Sequence, residues 1–413
     1  MAQSNIIVLG SGLMGSSIAL DLLESSIVST VTVVDNSSER LKALEQRADR
    51  RSKQKIAGVA SAVNLVEKLS TVELDVRKQQ DDLKKLFGKA DLGVGALPHG
   101  LAEEAVMAAL EQKLDFIDLI FSWRYERGGS IDTKAKQNGI TIIPACGLAP
   151  GLSNILAKYA ADQLEEVDSV KIKVGGIPEA PKAPLNYKVV FAIDSVLEEY
   201  TRDALVIRDG KKVLLPALSE VEELTFSELP EAKFEAFITD GLSTLPETLK
   251  KANEMDEKTI RWKGHAEQIQ LLIDIGLFSE RPINVKPSGN RVAPRALLST
   301  LLDKKLAMHQ GDKDMTLLRV EVMGRKKKGD RATRVHRYEM VDRYDADGQN
   351  TSMARTTAYP CSAVAQMLLE GKISEKGFIP PEIAIRDERF DDFLSRLDRK
   401  GLSIREQEFL AEQ

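Results

Sequence analysis

The sequence of 413 residues has few of the residues that build covalent or metal-bound scaffolds. Its two cysteines, Cys146 and Cys361, cannot form a disulfide framework, and no CxxC or HxxxH pair offers zinc-ligand spacing. We therefore expect no metal site and a reducing, cytoplasmic location. Neither cysteine has an evident histidine partner, so we interpret both as buried apolar side chains rather than nucleophiles.

Long apolar runs and a strong charge of one sign are also missing. No stretch approaches the ~20 apolar residues that span a bilayer, and the N-terminus lacks the pattern of a signal peptide. The net charge of -5 gives no general attraction to nucleic acid or to an anionic membrane, so we expect neither partner. At roughly 100 to 200 residues per domain, the length predicts two or three domains.

The first third of the chain alternates short apolar runs with longer helical patterns. This alternation predicts βαβ units and a Rossmann doubly wound parallel sheet with helices on both faces. The predicted strands are Ile6–Leu9, Val31–Val34, Val72–Leu74, Leu92–Gly95, Phe116–Ile117 and Thr141–Ile143, and the predicted helices are Leu13–Leu23, Glu39–Arg50 and Leu101–Leu110.

The pattern then changes to one typical of an α+β domain built on a mixed or antiparallel sheet. One more helix is predicted over Pro150–Ala161, and Gly175–Pro184 is too rich in Gly and Pro for a regular element. Asp209–Gly210 indicates a hairpin turn. The basic cluster from Arg325 to Lys328 is interpreted as a solvated hairpin tip, the alternative being a phosphate contact. Further strands are predicted over Val170–Val174, Leu317–Met323, Val335–Val341 and Thr351–Arg355.

Residues 10–15 read GSGLMG directly after the first predicted strand and open a helical pattern. In such a turn Gly10 permits the change of direction, Gly12 lets a pyrophosphate approach the backbone, and Gly15 lets the helix pack on the strand. The free N–H groups at the helix start, from Leu13 onward, attract phosphate oxygens. The motif therefore predicts a dinucleotide site.

An acidic residue completes this site. Asp35 ends the second predicted strand, twenty residues after Gly15, where a carboxylate accepts hydrogen bonds from an adenosine ribose. Its charge repels a 2′-phosphate, so the sequence favours NAD over NADP, although Arg40 lies nearby. The alternatives are a glycine turn that binds nothing and a methyltransferase, which also places an acid here.

Later strand ends extend the predicted site, because ligands of open parallel sheets bind beyond the carboxyl ends of the strands. We expect adenine at the third strand, the nicotinamide-side ribose at the fourth, and a catalytic role for Asp118 at the fifth. Turn chemistry is the alternative at each position. With the glycines and Asp35, the cofactor-binding prediction comprises Leu13, Met14, Asp75, Val76, Ala96, Leu97 and Pro98.

Five stretches resemble the saccharopine dehydrogenase-like family, most closely its L-lysine 6-dehydrogenase branch. They cover nearly the whole chain in order, and the GGIP, RWKGHAE and ARTTAY blocks are specific. The stretches are GSGLMG at 10–15, IIPACGLAPGLSNILA at 142–157, VGGIPEAPKAPLNY at 174–187, TIRWKGHAEQIQLL at 259–272 and MARTTAYPCSAVAQMLLEGKI at 353–373. The chain departs from the glycine-rich pattern of that branch at residues 119–125.

The resemblance implies an NAD-dependent oxidation of the 6-amino group of lysine to allysine and piperideine-6-carboxylate, with release of ammonia. It also implies a homodimer and a discontinuous dinucleotide-binding domain of residues 1–125 plus about 351–390. Residues 126–350 would then form a substrate and dimerisation domain, followed by a C-terminal tail over 391–413. The alternatives are reductive condensation of an amino acid with an aldehyde or keto acid, as in saccharopine reductase, and a non-catalytic dinucleotide sensor.

The chemistry calls for further residues. Hydride leaves a carbon that carries nitrogen only when the amine is neutral, and a lysine amine has a pKa of about 10.4 in water. We predict His265 as the acid/base or substrate contact, with His99 second, and Arg261 as a clamp for the α-carboxylate. A structural histidine and a surface ion pair are the respective alternatives. Tyr187 is a candidate substrate contact, and Thr356, Thr357 and Tyr359 are expected at a helix entrance near the cofactor.

Overall fold

The computed structural model describes residues 3–53, 64–120, 129–190, 193–309 and 311–411. Contacts divide the chain into two compact units, residues 1–155 with 354–402 and residues 156–353 with 403–413. The second segment of the first unit runs past the expected end near residue 390. The first unit also continues to residue 155, so the predicted boundary at 125/126 lies too early in the chain. Residues 121–125 of the departure from the lysine dehydrogenase pattern lie outside the described residues.

The first unit is built on a seven-stranded sheet in the order β17-β6-β5-β4-β1-β2-β3, and all its pairings are parallel. This sheet confirms the predicted Rossmann fold. Up to residue 162 the elements are β1 (Ser4–Leu9), α1 (Leu13–Leu23), β2 (Val28–Asp35), α2 (Ser38–Lys53), α3 (Leu65–Lys68), β3 (Leu69–Glu73), α4 (Gln80–Phe87), β4 (Leu92–Gly95), α5 (His99–Gln112), β5 (Phe116–Asp118), α6 (Ser130–Asn138), β6 (Thr141–Ile143) and α7 (Leu152–Asp162).

Apolar burial explains why the central strands form where they do. From Ile6 to Leu9 no side chain of β1 is more than 1% exposed, and all four residues of β4 are buried. Strands covered on both faces need continuous apolar runs rather than alternation. The core on one side of the sheet contains Phe87 and Phe116, whose rings lie 5.9 Å apart, together with apolar residues of α5 and α6.

The second unit is built on a mixed sheet, which confirms the second predicted architecture. Seven strands follow the order β10-β11-β12-β7-β15-β16-β18, and β8 pairs with β12 and β9. The β12–β7 pairing is parallel and the others are antiparallel. The elements are β7 (Glu166–Pro178), α8 (Ile193–Glu199), β8 (Ala204–Arg208), β9 (Lys211–Leu215), β10 (Glu222–Phe226), β11 (Leu229–Ile238), α9 (Leu245–Thr248), β12 (Ala252–Trp262), α10 (His265–Asp274), β13 (Ile283–Asn284), β14 (Arg291–Val292), α11 (Pro294–Leu306), β15 (Asp314–Arg325) and β16 (Arg334–Arg343).

The last part of the chain differs most from the sequence prediction. Its elements are α12 (Ser352–Leu369), β17 (Gly377–Phe378), α13 (Pro381–Ala384), α14 (Glu388–Asp398) and β18 (Arg405–Leu410). The predicted strand Thr351–Arg355 is therefore wrong, and Thr356, Thr357 and Tyr359 lie inside α12 rather than at its entrance. Residues 391–413 are not a plain tail, because they hold most of α14 and all of β18, which pairs with β16.

The glycine-rich segment after Val174 is also more regular than predicted, since β7 continues to Pro178. A Cβ on Gly175 would lie 2.2 Å from the carbonyl oxygen of Ile260, and a Cβ on Gly176 would lie 2.1 Å from the Met353 methyl. These glycines therefore permit close packing within a strand instead of breaking it.

The basic cluster lies where the sequence indicated, at the connection between β15 and β16. Arg325 donates to Glu166 at 2.6 Å and to both carboxylate oxygens of Asp168 at 3.0 Å. Lys326 and Arg334 both lie beside Glu408. The hairpin-tip interpretation is confirmed, and part of its charge is neutralised by carboxylates of the same unit.

Candidate functional site

The glycine turn of the first unit forms between β1 and α1. Gly10 has a φ of +95°, and a Cβ there would lie 2.5 Å from the carbonyl oxygen of Ala96. A Cβ on Gly15 would lie 1.9 Å from the carbonyl oxygen of Gly10. Both contacts are with backbone atoms, which cannot move aside cheaply. The fold itself therefore requires Gly10 and Gly15.

Gly12 is different, because nothing lies within 4 Å of the position that its Cβ would occupy. Its φ of -67° is one that any residue adopts, and it is the N-cap of α1 without a side-chain capping bond. The fold gives no reason for a glycine here. Open space in front of an uncapped helix start is what a pyrophosphate needs in order to reach the backbone N–H groups.

The carboxylate of Asp35 is held beside this turn. Oδ2 accepts the backbone N–H of Ser11 at 2.7 Å, and Oδ1 accepts that of Ser37 at 2.8 Å and the Arg40 guanidinium at 2.6 Å. Burial alone would raise the pKa of Asp35, but the hydrogen bonds from Arg40, Ser11 and Ser37 bring it below its usual value. Asp35 is therefore ionised at neutral pH, and its side chain is 6% exposed.

The neighbouring strand ends divide into turn residues and core residues. Asp75 accepts the backbone N–H groups of Arg77 and Lys78, as in the turn alternative. Val76 and Leu97 are buried in the apolar core of the unit. Ala96 borders the glycine turn, whereas Leu13 is 48% exposed at the start of α1, Met14 is partly buried, and Pro98 is exposed as the N-cap of α5. The side chain of His99 lies outside what the structure describes.

Asp118 ends β5 in a fully buried position. Its Oδ1 accepts the backbone N–H of Ile120 at 2.6 Å, and no described residue gives Oδ2 a hydrogen bond. Burial raises the pKa of Asp118 to about 7, although the Ile120 bond opposes the shift. A Cβ on Gly95 would lie 2.4 Å from Oδ2, so only glycine fits there. Asp118 is thus an acid that can change its protonation state near neutral pH.

The two cysteines belong to the same unit, and both are buried as predicted. The backbone N–H of Cys146 donates to the Asp118 carbonyl at 2.9 Å. The neighbouring Cys146 side chain, followed by burial, raises the pKa of the Cys361 thiol. A thiol in such surroundings is a poor nucleophile.

A second cluster lies within the second unit and contains three of the predicted catalytic residues. His265 is fully buried at the start of α10, with Nδ1 2.6 Å from the Leu185 carbonyl and Nε2 2.8 Å from the Tyr200 hydroxyl. Burial and the Arg261 charge lower the pKa of His265 to about 3. The imidazole is therefore neutral, with Nδ1–H donating to Leu185 and Nε2 accepting from Tyr200.

Arg261 is 2% exposed, which excludes the surface ion pair considered as its alternative. Its guanidinium donates to Glu199 at 3.0 Å and to the Tyr200 hydroxyl at 3.2 Å. It also lies 4.7 Å from the centre of the Tyr187 ring. Glu199 already pairs with the guanidinium of Arg261. A substrate carboxylate could bind Arg261 only by displacing Glu199, so the role of Arg261 as a carboxylate clamp stays a prediction.

Tyr187 is 1% exposed, and its hydroxyl has no partner among the described residues. Glu257 has the same property: it is 5% exposed and its Oε2 is unpartnered within the described chain. Burial, reinforced by Asp240 and Glu199, raises the pKa of Glu257 to about 8. Unpartnered buried polar atoms are uncommon in folded proteins and tend to mark functional sites.

Sequence reasoning missed Glu199, Tyr200 and Glu257. Residues 257, 259 and 261 of β12 share one face by strand alternation, so a polar buried face was readable in principle. His336 of β16 is also buried, with 1% of its surface exposed, and β18 pairs alongside β16 with Glu408 opposite it.

Among the described residues, no group of three or more His, Cys, Asp or Glu side chains is arranged to hold a metal ion. Among the helices in that part of the chain, none has the length and apolar character required to cross a membrane.

Comparison with known families finds two family models that follow one another along the chain. Residues 6–143 match the family described as "Saccharopine dehydrogenase NADP binding domain", and residues 147–402 match "Saccharopine dehydrogenase C-terminal domain". The chain belongs to the saccharopine dehydrogenase family. It is accordingly a member of an oxidoreductase family, and its first unit carries the dinucleotide-binding domain of that family.

Curated relatives of this family member are distant. Saccharopine dehydrogenase (NADP(+), L-glutamate-forming) of Pyricularia oryzae is 25% identical, and the alignment covers 92% of this chain and 94% of that protein. Carboxynorspermidine synthase of Vibrio cholerae is also 25% identical, over 75% of this chain and 78% of that protein. Mitochondrial alpha-aminoadipic semialdehyde synthase of Bos taurus is 24% identical over 81% of this chain, which spans only 42% of that longer protein.

Solved structures show the same fold. Apo saccharopine dehydrogenase (L-Glu forming) from Saccharomyces cerevisiae superposes with a TM-score of 0.77 at 20% identity, covering 98% of this chain and 100% of that one. Homospermidine synthase from Legionella pneumophila, in complex with NAD, superposes with a TM-score of 0.53 at 12% identity, covering 99% of this chain and 91% of that one.

Proposed function

We propose that this protein is an NAD-dependent dehydrogenase that oxidises a C–N bond of an amino acid in the cytoplasm. The first candidate substrate is L-lysine. Oxidation of its C6–N bond would give an imine, and hydrolysis of that imine would release ammonia and leave allysine, which cyclises to piperideine-6-carboxylate. The observation that supports it best is the open space at Gly12 beside the ionised Asp35. This geometry suits a dinucleotide with an unphosphorylated ribose.

The preference for NAD rests on charge. Asp35 ends β2, the position from which an acidic residue of this type of fold contacts the ribose, and a 2′-phosphate bound there would meet like charge. Arg40 is 52% exposed and already neutralises part of Asp35. The relative from Pyricularia oryzae is named as NADP(+)-dependent, so the choice of dinucleotide needs a direct comparison of both cofactors.

A bound nicotinamide would supply the hydride acceptor, and the residues of this chain would handle protons and orientation. A substrate ammonium must lose a proton before hydride can leave its carbon. Oδ2 of Asp118 is buried and has no partner among the described residues, and the pKa of this carboxyl is about 7, so we assign it as the proton acceptor in the dinucleotide-binding unit. In the second unit the neutral His265 and the Tyr187 hydroxyl remain the candidates for substrate contact.

A second candidate is a saccharopine-type reaction, in which the nitrogen being oxidised joins two amino-acid skeletons. The relative from Pyricularia oryzae, whose alignment covers 92% of this chain, supports this candidate, because it is named as an L-glutamate-forming saccharopine dehydrogenase. Both candidate reactions use the same hydride acceptor, and both require the substrate amine to be neutral. They differ in the size of the group on the nitrogen.

One set of assays separates the proposals. Purified protein is mixed with NAD or NADP and with L-lysine or saccharopine, and cofactor reduction is followed by absorbance from neutral to alkaline pH. The reverse direction is tested with NADH or NADPH, an aldehyde acid and glutamate. Reduction of NAD by lysine supports the first candidate, whereas turnover of saccharopine alone supports the second. Binding of NAD without any turnover would contradict both and favour a dinucleotide sensor.

A further inference from the structure

A cluster of three carboxylates in the second unit contains only two guanidiniums. Glu199 pairs with Arg261 at 3.0 Å, and Asp240 pairs with Arg202 at 3.1 Å. The third carboxylate belongs to Glu257 of β12, and the charges of Asp240 and Glu199 disfavour its ionisation. No basic side chain of the described residues forms an ion pair with Glu257. When all three acids are ionised, the cluster therefore has one negative charge more than it has positive charges.

The carboxyl of Glu257 lies against a glycine of the 239–244 loop, the segment between β11 and α9. A Cβ on Gly241 would lie 1.7 Å from Oε1 and 2.4 Å from Oε2 of Glu257, so any other residue would displace the carboxyl. The backbone N–H of Thr239 donates to the Glu257 carbonyl at 3.1 Å, which holds the start of the loop against β12. No described residue donates a hydrogen bond to the buried Oε2. A buried acceptor without a donor costs free energy, and a ligand that donates to it recovers that cost.

Two hydroxyls of the 239–244 loop are also buried without a partner. They belong to Ser243 and Thr244, two and three residues after Gly241, and neither oxygen has a hydrogen bond among the described residues. The third hydroxyl of the loop is different, because Oγ1 of Thr239 lies 2.8 Å from Oγ1 of Thr259 on β12. The unpartnered hydroxyls are thus confined to the end of the loop that follows Gly241.

These oxygens suit a primary ammonium group. An ammonium has three N–H donors and no acceptor, and Glu257 with Ser243 and Thr244 offers one charged and two neutral acceptors. Its positive charge balances the excess negative charge of the cluster, whereas a carboxylate or phosphate would add to that excess. A divalent metal ion is a poorer match, because no group of three or more His, Cys, Asp or Glu among the described residues is arranged to hold one.

We propose that Glu257, Ser243 and Thr244 bind the α-ammonium group of the amino-acid substrate. This inference rests on the proposed function and deepens it by naming the part of the substrate that the second unit recognises. The amine that is oxidised must be neutral when hydride leaves, so it is not the group that an ionised carboxylate holds. The α-nitrogen of a lysine skeleton takes no part in that step and remains an ammonium. A compound that lacks the α-ammonium therefore binds weakly.

Three ligands that differ in their amines test the assignment. L-Lysine carries both amines, L-norleucine keeps only the α-ammonium, and 6-aminohexanoate keeps only the 6-amine. Each is titrated by isothermal titration calorimetry into the full-length protein saturated with NADH, so that no oxidation takes place. We expect Glu257→Gln to weaken the binding of lysine and norleucine about tenfold or more, because a charge-assisted hydrogen bond is lost. The affinity for 6-aminohexanoate should be lower in the wild type and should not fall further in the variant.

Two further variants and a matched control accompany Glu257→Gln. Ser243→Ala and Thr244→Val each remove one hydroxyl and should weaken the binding of lysine and norleucine by a smaller factor. The control is Glu254→Gln, which makes the same change on the opposite face of β12, where Glu254 pairs with Arg208. It should bind lysine like the wild type. Circular dichroism and the melting temperature verify that each variant folds.

The protonation state of Glu257 gives a second readout. Burial and the charges of Asp240 and Glu199, opposed by that of Arg202, raise the pKa of Glu257 to about 8. Near pH 7 the carboxyl must therefore release its proton when an ammonium binds to it. We expect norleucine, which has no second amine, to release about one proton from the wild type and none from Glu257→Gln. Titrations in two buffers of different ionisation enthalpy measure this release.

The outcomes for this site and for the proposed function can be told apart. Unchanged lysine affinity in Glu257→Gln, an equal loss for 6-aminohexanoate, or a wild type that binds neither lysine nor norleucine would each overturn the ammonium site. If the wild type shows the expected ligand pattern but reduces no dinucleotide, the dehydrogenase proposal is wrong and the site stands. If it oxidises lysine while the ligand pattern is absent, the site is wrong and the dehydrogenase proposal stands.

Discussion

The carboxylate of Asp35 accepts the backbone N–H of Ser11 at 2.7 Å and so ties the end of β2 to the glycine turn. Two backbone bonds and Arg40 hold the acid in place before any ligand arrives. A site prepared in this way loses less entropy when a ligand binds. The arrangement links the cofactor preference to a single side chain.

We therefore expect Asp35→Ala to weaken NAD binding by about 1 to 3 kcal/mol, because the hydrogen bonds to the ribose are lost. The same substitution should also reduce the difference between the binding affinities for NAD and NADP. Isothermal titration calorimetry with both cofactors measures this. Arg40→Ala, which leaves the acid in place, should retain NAD binding. Equal NAD affinities for wild type and Asp35→Ala would contradict the cofactor pose.

The glycine turn offers a matched pair of substitutions. Gly12→Ala should leave the melting temperature close to that of the wild type, because the added methyl meets only open space. It should weaken dinucleotide binding at least tenfold. Gly15→Ala places a methyl 1.9 Å from the Gly10 carbonyl oxygen and should destabilise the unit by about 1 to 3 kcal/mol. Thermal unfolding and NAD titration separate the two effects, and unchanged NAD affinity in Gly12→Ala would exclude a pyrophosphate at this turn.

We predict that the carboxyl group of Asp118 makes the activity depend on pH. Its pKa of about 7 means that the carboxylate form becomes available as the pH rises through neutrality. If Asp118 accepts the substrate proton, kcat/KM should rise over that range, and Asp118→Asn should abolish the rise along with most activity. Cofactor binding should change little. A pH profile of Asp118→Asn parallel to that of the wild type would assign the proton transfer to another group.

The Tyr200 hydroxyl joins the guanidinium of Arg261 to His265, whereas the Tyr187 hydroxyl has no described partner. Tyr200→Phe should therefore cost about 1 to 3 kcal/mol of unfolding free energy, since two buried polar groups lose a partner. Tyr187→Phe is the control and should cost little stability. Chemical denaturation measures both. A KM increase confined to Tyr187→Phe would support its substrate contact, and equal stability losses would contradict this assignment of hydrogen bonds.

We predict that Glu257 lowers the free energy of unfolding as the pH rises. Its pKa of about 8 in the folded state lies above the usual glutamate value of 4.5, so between these pH values the folded protein holds a proton that the unfolded chain releases. The stabilisation is complete below about 4.5 and is lost as the pH rises through about 8. Glu257→Gln should remove this dependence and be more stable than the wild type above neutrality by about 1 to 3 kcal/mol. Parallel stability curves for the two proteins would show that Glu257 is ionised when buried.

Much of the first unit was predictable because its signals are local. The strands of a parallel sheet are continuous apolar runs, and those at Ile6–Leu9 and Leu92–Gly95 needed no knowledge of distant residues. The three glycines and Asp35 are likewise defined by spacing along the chain. The spacing could not show that Gly10 and Gly15 are required by close backbone contacts, whereas the position of a Cβ on Gly12 is open.

The helix α12 shows where local reasoning fails. Nearly all of its residues are buried, so it lacks the polar face that gives a surface helix its periodicity. The short alternation of polar and apolar residues at Thr351–Arg355 was therefore interpreted as a strand. The burial of His336 could not be read locally either, since β18, which pairs with its strand, comes from the far end of the chain.

The amino-acid sequence by itself determined the parallel sheet, the phosphate-binding turn and the family, since all three depend on residues close together in the chain. Only the tertiary structure decided the state of the charged groups. The pairing of Arg261 with Glu199, the neutrality of His265 and the raised pKa values of Asp118 and Glu257 follow from burial and from neighbours distant in sequence. Electrostatic free energy depends on distance and solvent access, and neither is encoded in spacing along the chain.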